Sequence, residues 1–454
     1  MHFDVSLGRV STRLLLLAAL VSVLPLGAFG STVAVGTCTN LPFYSTIQLA
    51  VNSVPAGSTI KVCPGTYPEQ VMITKKLTLT GVVAGTMDAA VIVPPAGGLL
   101  QNGSDIFGNP VAAQIFVAST SGGVTISHLT VDGTGNDVAS CGLTLEGIYF
   151  QNTPGTITNN VVRNQYQTDY ADYGGCQNGL AINVESLTPN AVTVSFNSVR
   201  SYQKNGITAT GAATGPGSSG PVVTISSNYI VGLGATARNW QGFYLNEINA
   251  AENGVQVGFG ATGKVMANVV NDNIWGTDTS SDTGDAASGI LIFASDAVMV
   301  SGNEVGSAQF GIVADTDTYN LCDGASCGPA DNNIITSNKV AGTQLFDGID
   351  LCGNSNTAHA NSVYGSSESG VHIDSTCGTG NNNTVTNNTI NEACAGILLG
   401  SGSGNTTTPD TFNNVTNTTL GGDVCPATMG DVAKAAGQSK RHLALRPSPY
   451  KSGK

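Results

Sequence analysis

One asparagine, returning at intervals of 23 to 40 residues, constrains this chain more than any other feature. It lies in the pattern apolar-x-x-Asn-x-apolar, as in Val385, Asn388 and Ile390. The other copies centre on Asn160, Asn197, Asn228, Asn268, Asn303, Asn338 and, in degenerate form, Asn361. Segments of a glycine followed by alternating apolar residues accompany them, with glycines at positions 147, 179, 206, 242, 289, 311, 348, 370 and 396. Alternation with a period of two predicts strands.

Short strand repeats without helices predict a solenoid whose turns stack on one another. The expected fold class is all-β, a single-stranded right-handed parallel β-helix with an N-terminal helical cap, the handedness following from the bias of parallel crossovers. The asparagines would form a ladder of side-chain amides about 4.8 Å apart. Each would lie at a bend, where asparagine tolerates left-handed backbone geometry and can bond the local main chain. Because they recur on every turn, we interpret them as structural.

A cap is expected at the N-terminal end, where the first turn would otherwise expose a strand edge. In "YSTIQLAVNSVPAG", residues 44–57, Ser45 and Gln48 form a capping-box pattern, and Pro55 and Gly57 would end a helix. One helical face would be apolar through Ile47, Ala50, Val51 and Val54.

The ends of the chain differ from its body. Arg9 and Arg13 precede the apolar run "LLLLAALVSVLPLG", which is typical of a secretory signal over residues 1–30, with an uncleaved anchor as the alternative. The β-helix would cover residues 31–425, with its cap at 38–57, and residues 426–454 would be a disordered basic tail. We therefore expect a secreted protein, whether extracellular, periplasmic or at the cell surface.

Charge narrows the choice of partners. Nine basic and 28 acidic residues lie between positions 31 and 430, a net charge near −19. Such a surface repels nucleic acid and anionic membranes, and it would hold an acidic polysaccharide only through local basic groups or bridging cations. No later segment is long and apolar enough for a membrane span. We expect a monomer that binds polysaccharide.

Ten cysteines, all after the signal, indicate an oxidising compartment. Adjacent turns are close enough for disulfides. The expected pairs are Cys38 with Cys63, Cys141 with Cys176, Cys322 with Cys327, Cys352 with Cys377 and Cys394 with Cys425.

The segment "STIQLAVNSVPAGSTIKVCPGTYPEQVMITKKLTLTG" resembles the N-terminal signature of secreted right-handed parallel β-helix proteins of the pectin lyase-like superfamily. The Gly-Ile-x-Leu and Asn-x-Ile/Val repeats resemble its generic repeats, so the resemblance covers residues 41–420. It implies the fold, which serves lyases, hydrolases, esterases, epimerases and non-catalytic surface proteins. "FDGIDLCGN" at 346–354 resembles part of the polygalacturonase motif, but no Gly-His-Gly follows, and "YQTDYADY" at 166–173 is only a loose likeness to esterase motifs.

Side chains at the same offset from each repeat glycine are expected to stack in outward-facing columns on successive turns. Asp350 and His372 are expected as neighbours in one column, with Asp374 beside them, and these three are the candidate catalytic acid–base residues. Asp347 and Asp315 extend the patch and would suit Ca²⁺. No other cofactor is indicated, and a solvated polar face is the alternative interpretation.

A second candidate site would bind substrate. Arg163 and Arg200 each follow a ladder asparagine by three residues and would stack as like charges. They could bind a uronate carboxylate or pair with internal acids such as Asp169 or Asp172. Tyr166, Tyr170 and Tyr244 could stack on sugar rings or pack the loops that carry them.

Two functions remain open at this point. The first is a non-catalytic protein that binds an acidic polysaccharide along its solenoid face. The second is a lyase, hydrolase or epimerase acting on uronate-containing glycans through Asp350, His372 and Asp374. About five turns of 4.8 Å separate the arginines from Asp350, so the two clusters cannot be one site.

Overall fold

A computed structural model describes residues 30–85, 88–118, 120, 122–167, 178–212, 219–232, 252–274, 287–318, 320–322, 325–343 and 346–425. The predicted signal, apart from Gly30, and the predicted tail lie outside the described residues. Within the described part, strands account for almost all regular structure, and one helix, α1 (Ile47–Ser53), is present. This helix is too short and too polar to cross a membrane.

The strands are short and evenly spaced. In the first half they are β1 (Thr32–Val35), β2 (Phe43–Tyr44), β3 (Ser58–Val62), β4 (Gly65–Pro68), β5 (Val71–Ile73), β6 (Leu77–Gly81), β7 (Ala90–Val93), β8 (Gly103–Ser104), β9 (Pro110–Ala118), β10 (Val124–Ser127), β11 (Thr130–Asp132), β12 (Thr144–Gln151), β13 (Gly155–Thr158), β14 (Val161–Gln165), β15 (Leu180–Glu185), β16 (Ala191–Ser195), β17 (Ser198–Tyr202) and β18 (Asn205–Thr210). In the second half they are β19 (Val222–Ser226), β20 (Tyr229–Val231), β21 (Asn253–Gly258), β22 (Thr262–Met266), β23 (Val269–Asn271), β24 (Ser288–Phe293), β25 (Met299–Ser301), β26 (Glu304–Gly306), β27 (Phe310–Asp315), β28 (Ile334–Thr336), β29 (Lys339–Ala341), β30 (Ile349–Leu351), β31 (Thr357–His359), β32 (Ser362–Ile373), β33 (Thr384–Thr386), β34 (Thr389–Leu399) and β35 (Thr411–Gly421).

All of these strands except β8, which pairs antiparallel with β9, form three faces of a parallel β-helix, as the asparagine repeat predicted. The first face has 13 strands in the order β2-β1-β3-β6-β10-β13-β16-β19-β22-β25-β28-β31-β33. The second face is the series β4-β7-β11-β14-β17-β20-β23-β26-β29-β32-β34-β35. The third face is the series β5-β9-β12-β15-β18-β21-β24-β27-β30-β32-β34-β35. The last three strands run through both the second and third faces because they have 11 or 12 residues each.

The core is a set of stacked apolar side chains inside the coil. On the first face, successive strands stack buried apolar side chains directly against one another, most of them Ile or Val, as in Ile157, Val194 and Ile225. These side chains are fully buried. Branched side chains pack well on a pleated surface, so each turn is stabilised by the apolar area that it covers on its neighbours.

The asparagine ladder is confirmed over its eight predicted members. In each step the side-chain Nδ2 donates to the Oδ1 of the next asparagine at 2.9 to 3.1 Å. The backbone N–H donates to the same Oδ1, and Nδ2 also donates to a backbone carbonyl, as from Asn268 to Ile225. All eight side chains are buried. Each amide therefore satisfies backbone groups at a bend that lacks strand pairing.

The left-handed residue at this bend is not the ladder asparagine itself. The left-handed residue is the one before each ladder asparagine, for example Phe196 at φ 57° and Ala267 at φ 53°. The ladder asparagine itself is not among the residues with positive φ. The turn is thus made by its predecessor, which leaves the amide pointing inward to bond along the stack.

The ladder ends at Asp410, whose Oδ1 accepts from both the backbone N–H and Nδ2 of Asn388. A second ladder, which the sequence analysis missed, runs through Asn333, Asn356, Asn383 and Asn405, each accepting the backbone N–H of the member before it. It forms at another bend of the last four turns.

The N-terminal cap is confirmed, with two corrections. The N-cap residue is Thr46 instead of Ser45, and its hydroxyl accepts from the Leu49 N–H. Glu69 supplies two further acceptors, because its carboxylate oxygens bind the N–H groups of Ile47 and Gln48 at 2.9 Å. Strand β1 precedes the helix and lies between β2 and β3 in the first face.

Four of the expected disulfides are present: Cys38–Cys63, Cys322–Cys327, Cys352–Cys377 and Cys394–Cys425. Cys141 is also disulfide-bonded, whereas its expected partner Cys176 lies outside the described residues. Disulfides of this number fit an oxidising compartment.

We predict that Asn268→Ala lowers the free energy of unfolding by at least about 3 kcal/mol, because several buried donors and acceptors lose their partners at once. Asn268 contacts Asn228, Ile225 and Asn303 through side-chain hydrogen bonds. The measurement is the urea midpoint followed by circular dichroism.

The matched control is Asn413→Ala, because Asn413 makes one exposed hydrogen bond to Asn391. We expect this exposed change to stay within about 0.5 kcal/mol of the wild type. Equal midpoints for the two variants would contradict a stabilising ladder.

Candidate functional site

The third face carries the predicted site on its outer side. Asp350 of β30 pairs directly with His372 of β32, which confirms the predicted adjacency. In the same column Val313 precedes Asp350 and Leu398 follows His372. Asp347 lies just before β30, and Asp374 lies just after β32. The site is therefore built on two consecutive turns.

The outward column that lies two residues after each repeat glycine differs from the prediction on the N-terminal turns, where the rule would place Ala181 beside Tyr149. Tyr149 pairs with Asn183 and not with Ala181, because Ile148 of β12 is in register with Ile182 of β15. The segment that begins at Gly242 lies outside the described residues, and Gly254 within β21 occupies the repeat position between Gly206 and Gly289.

Four carboxylates surround the imidazole of His372. Its Nδ1 lies 3.3 Å from Asp347 Oδ2, 3.7 Å from Asp374 Oδ2 and 3.9 Å from Asp350 Oδ1. Its Nε2 lies 3.6 Å from Oδ1 of Asp423, which follows β35. The sequence analysis missed Asp423, which no repeat glycine marks. The Cys394–Cys425 disulfide holds this segment against the preceding turn.

Several of these carboxylates are fixed by hydrogen bonds. Asp347 Oδ1 accepts from the backbone N–H and the hydroxyl of Ser369 at 3.0 and 2.6 Å. Asp374 Oδ1 accepts from the Thr376 N–H at 2.6 Å. Asp423 accepts from the backbone and hydroxyl of Ser375. In contrast, both oxygens of Asp350 are buried without a hydrogen-bond partner.

Burial and charge act on the titratable groups in opposite senses. Burial lowers the pKa of His372, but Asp347 and the neighbouring carboxylates outweigh it, so the pKa is raised well above the usual range. Burial first, and repulsion from Asp374 second, raise the pKa of Asp350 well above its usual value. Burial and Asp374 do the same for Asp315. The nearby imidazole of His372, whose Nε2 lies 3.6 Å from Asp423 Oδ1, lowers the pKa of Asp423.

The predicted catalytic residues are not on an open surface. The exposed fraction is 1% for Asp350 and His372 and 3% for Asp374. An apolar cluster containing Phe310 and Val313 lies on one side of the site, and a second containing Leu398 lies on the other. Asp350, His372 and Asp374 therefore form neither a solvated polar face nor a groove that a polymer can enter in this conformation.

Two groups of side chains could hold a metal ion. The ligand atoms of Asp347, Asp350 and His372 lie within 4.8 Å of one another, and so do those of His372, Asp374 and Asp423. Cys352 and Cys377 lie equally close but form a disulfide, so their sulfurs are not thiolate ligands. Asp315, the other predicted metal residue, is buried and has no hydrogen-bond partner for either oxygen.

The predicted arginine pair is on the second face, where Arg163 of β14 lies directly beside Arg200 of β17. Arg163 is paired internally, with 2.7 Å ion pairs to Asp88 and Asp132. The acids suggested by the sequence, Asp169 and Asp172, lie outside the described residues. Arg200 is exposed and forms no ion pair with any residue that the structure describes.

The predicted tyrosines are only partly described. Tyr166 is half-buried, and its carbonyl accepts from Asn136 Nδ2. Tyr170 and Tyr244 lie outside the described residues. Their proposed contact with sugar stays a prediction.

A second buried acidic cluster was missed by the sequence analysis. Glu146 and Glu185 both accept from the Nδ2 of Asn183, at 3.0 and 3.1 Å. The Tyr149 hydroxyl donates to Glu185 at 2.6 Å. Burial, followed by the charge of Asp105, raises the pKa of Glu185 to about 7. The correct column register, with Asn183 beside Tyr149, was the signal that could have revealed this cluster.

We predict that Glu185→Gln becomes increasingly stabilising relative to the wild type as the pH rises. The folded-state pKa of about 7 exceeds the ordinary glutamate value of 4.5, so the contribution of Glu185 is full below pH 4.5 and is lost as pH rises through 7. The difference in unfolding free energy between variant and wild type should change by about 3 kcal/mol between pH 4.5 and 8. Urea midpoints at both pH values measure this difference.

Glu304→Gln is the control, because Glu304 is an exposed carboxylate. Its difference from the wild type should stay nearly constant over that range. A Glu185→Gln difference that is equally flat would show that the pKa of this carboxyl group is not raised in the folded protein.

Comparisons with known proteins support the fold. No family model matches the chain, and no curated protein matches its sequence. Among solved structures, the GH136 lacto-N-biosidase from Eubacterium ramulus is similar with a TM-score of 0.52 at 12% identity, over 85% of this chain and 67% of that protein. The Dettilon tailspike protein gives a TM-score of 0.51 at 12% identity, over 79% of this chain and 62% of the tailspike. The catalytic domain of a GH87 α-1,3-glucanase in complex with tetrasaccharides gives 0.50 at 12% identity, over 88% and 68%.

This chain thus spans about two thirds of the length of each of these three structures. At 12% identity, the likeness shows the fold and not the activity. The chain is a parallel β-helix protein, with the fold that its resemblance to pectin lyase-like proteins predicted.

Proposed function

We propose that this protein binds an acidic polysaccharide on the outer surface of its second face, around Arg200. The observation that carries the proposal is the unequal environment of two adjacent arginines. Arg163 is neutralised by Asp88 and Asp132, whereas its direct neighbour Arg200 projects into solvent. An exposed guanidinium on an otherwise acidic surface is suited to a carboxylate, which it can bind through two parallel hydrogen bonds.

Aromatic side chains beside Arg200 complete the proposed surface. Tyr229 of β20 is 54% exposed and begins the strand that pairs with the Arg200 strand, with Ser198 opposite Tyr229 and Val231 opposite Arg200. Phe196 is 59% exposed in the turn before β17. Exposed flat rings on neighbouring turns can stack on successive sugar rings while the arginine binds an acidic group.

Carbohydrate is the ligand class that fits both features, because it offers ring faces for stacking and, in uronates, carboxylates for the arginine. Two structurally similar proteins, a lacto-N-biosidase and an α-1,3-glucanase, are carbohydrate-active by name, which supports this choice. Binding without turnover is favoured over the enzyme hypothesis, since Asp350 and His372 are buried and lie on a different face.

We predict that Arg200→Ala weakens the binding of polygalacturonate or alginate about tenfold, because one charge-assisted hydrogen-bonded contact is lost. Tyr229→Ala should weaken it by a similar factor through lost stacking. Binding by the wild type should also weaken as salt is added, because the contact is electrostatic and exposed. Affinity electrophoresis or calorimetry on the full chain measures these changes.

Lys339→Ala is the matched control, because Lys339 is an exposed cation on the same face, four turns from Arg200. It pairs with Glu304 on the adjacent turn. It should bind like the wild type, and a neutral glucan should bind to none of the variants with this salt dependence. Unchanged binding in Arg200→Ala, or an equal loss in Lys339→Ala, would reject the proposed surface. Turnover of either polymer by the wild type would instead support the enzyme hypothesis.

A further inference from the structure

The carboxylates around His372 are arranged like the ligands of a metal ion. Three oxygens, from Asp347, Asp374 and Asp350, approach one nitrogen, Nδ1, at 3.3, 3.7 and 3.9 Å. A four-coordinate ion with bonds of about 2.0 to 2.2 Å holds its ligand atoms roughly 3.3 to 3.6 Å apart. These three distances to Nδ1 are close to this value, and the ligand atoms of Asp347, Asp350 and His372 all lie within 4.8 Å of one another.

Hydrogen bonds orient two of these carboxylates toward the same point. Asp347 and Asp374 each use Oδ1 to accept backbone N–H groups, from Ser369 and Thr376. Each directs its Oδ2 at His372 Nδ1. Ligating carboxylates in metal sites are commonly held in this way by groups outside the coordination sphere.

The second imidazole nitrogen is buried without a hydrogen-bond partner and faces a carboxylate. Nε2 of His372 faces Oδ1 of Asp423 at 3.6 Å, so a proton on Nε2 would leave Nδ1 as the metal ligand. A histidine that binds a metal generally donates its other N–H to a carboxylate or carbonyl. Asp423 is in turn fixed by the hydroxyl of Ser375 at 2.9 Å.

Unpartnered buried oxygens supply an independent observation. Both oxygens of Asp350 have no hydrogen-bond partner, and Asp350 is 1% exposed. On the preceding turn, both oxygens of Asp315 are also buried without a hydrogen-bond partner. A buried carboxylate without a donor costs several kcal/mol unless a cation or a proton compensates it.

We propose that Asp347, Asp350, His372 and Asp374 bind one divalent transition-metal ion, Zn²⁺ or Mn²⁺, with Asp423 positioning the imidazole. The imidazole nitrogen selects these ions over Ca²⁺, which takes six to eight oxygen ligands. The ligand set also differs from the Ca²⁺ expectation based on Asp347 and Asp315, because Asp315 is not needed as a ligand. The ion would join two consecutive turns and, through Asp423, the segment that follows the last strand.

The test is metal binding by the full-length protein after treatment with a chelator. We expect one Zn²⁺ or Mn²⁺ per chain by calorimetry, together with a rise in Tm, since a ligand that binds only the folded state stabilises it. Ca²⁺ and Mg²⁺ at the same concentration should give no comparable rise. Co²⁺ should show visible absorption bands, which His372→Ala should abolish.

Asp350→Asn should bind Zn²⁺ or Mn²⁺ at least 100-fold more weakly, whereas Glu185→Gln, which alters the other buried acidic cluster, should bind as the wild type does. If Asp350→Asn does not fold, Asp423→Asn serves in its place, because it keeps all four ligands and changes a partly exposed residue. Loss of the positioning contact should weaken binding about tenfold.

Three results would overturn the proposal. The first is the absence of stoichiometric Zn²⁺ or Mn²⁺ binding. The second is Ca²⁺ binding as tight as that of Zn²⁺ and Mn²⁺, which would indicate a site of oxygen ligands alone. The third is unchanged binding in both His372→Ala and the carboxylate variant, which would place the ion elsewhere. None of these results bears on Arg200, so the proposed polysaccharide surface stands or fails separately.

Discussion

The hydrogen bond between asparagines on successive turns is the interaction on which the rest of this structure depends. A parallel coil must bend three times per turn, and at each bend the backbone loses the strand pairing that would satisfy its polar groups. The buried amide of each ladder asparagine replaces that pairing, binding a backbone N–H, a carbonyl and the next amide at once. Because the bonds repeat at the strand spacing, they also fix which residues face each other on all three faces.

That fixed register explains why some of the site could be predicted and some could not. Asp350 and His372 follow their glycines by the same offset, so their adjacency was readable from sequence alone. The same procedure failed at Gly179. The residue beside Tyr149 is Asn183, which lies two residues after the position that the rule selects, and this shift hid the Glu146–Glu185 cluster. The rule assumes that every glycine marks an equivalent position, and local pairing of Ile148 with Ile182 overrides it.

Burial was the property that sequence could not supply. Side chains on the outer side of a solenoid strand are expected to meet solvent, yet Tyr149, Thr208, Asp350 and His372 are each less than 2% exposed. The alternation of a strand shows which side a residue faces but not what covers that side. Contacts from residues outside the strands, such as Asp423 and Phe346, decide this and leave no periodic signal. As a result the third face contains two buried acidic clusters with polar and aromatic side chains between them.

The replacement of asparagine by aspartate at position 410 has a consequence for the length of the coil. An asparagine amide can accept at one atom and donate at another, so it passes the bond from turn to turn, whereas the carboxyl group of Asp410 accepts from Asn388 through Oδ1 and forms no hydrogen bond through Oδ2. The series of hydrogen bonds from one ladder residue to the next can therefore end at Asp410 but cannot continue beyond it. Growth by duplication of a turn after this point would first require a residue able to donate, so one oxygen in place of one NH₂ group helps to define where this solenoid stops.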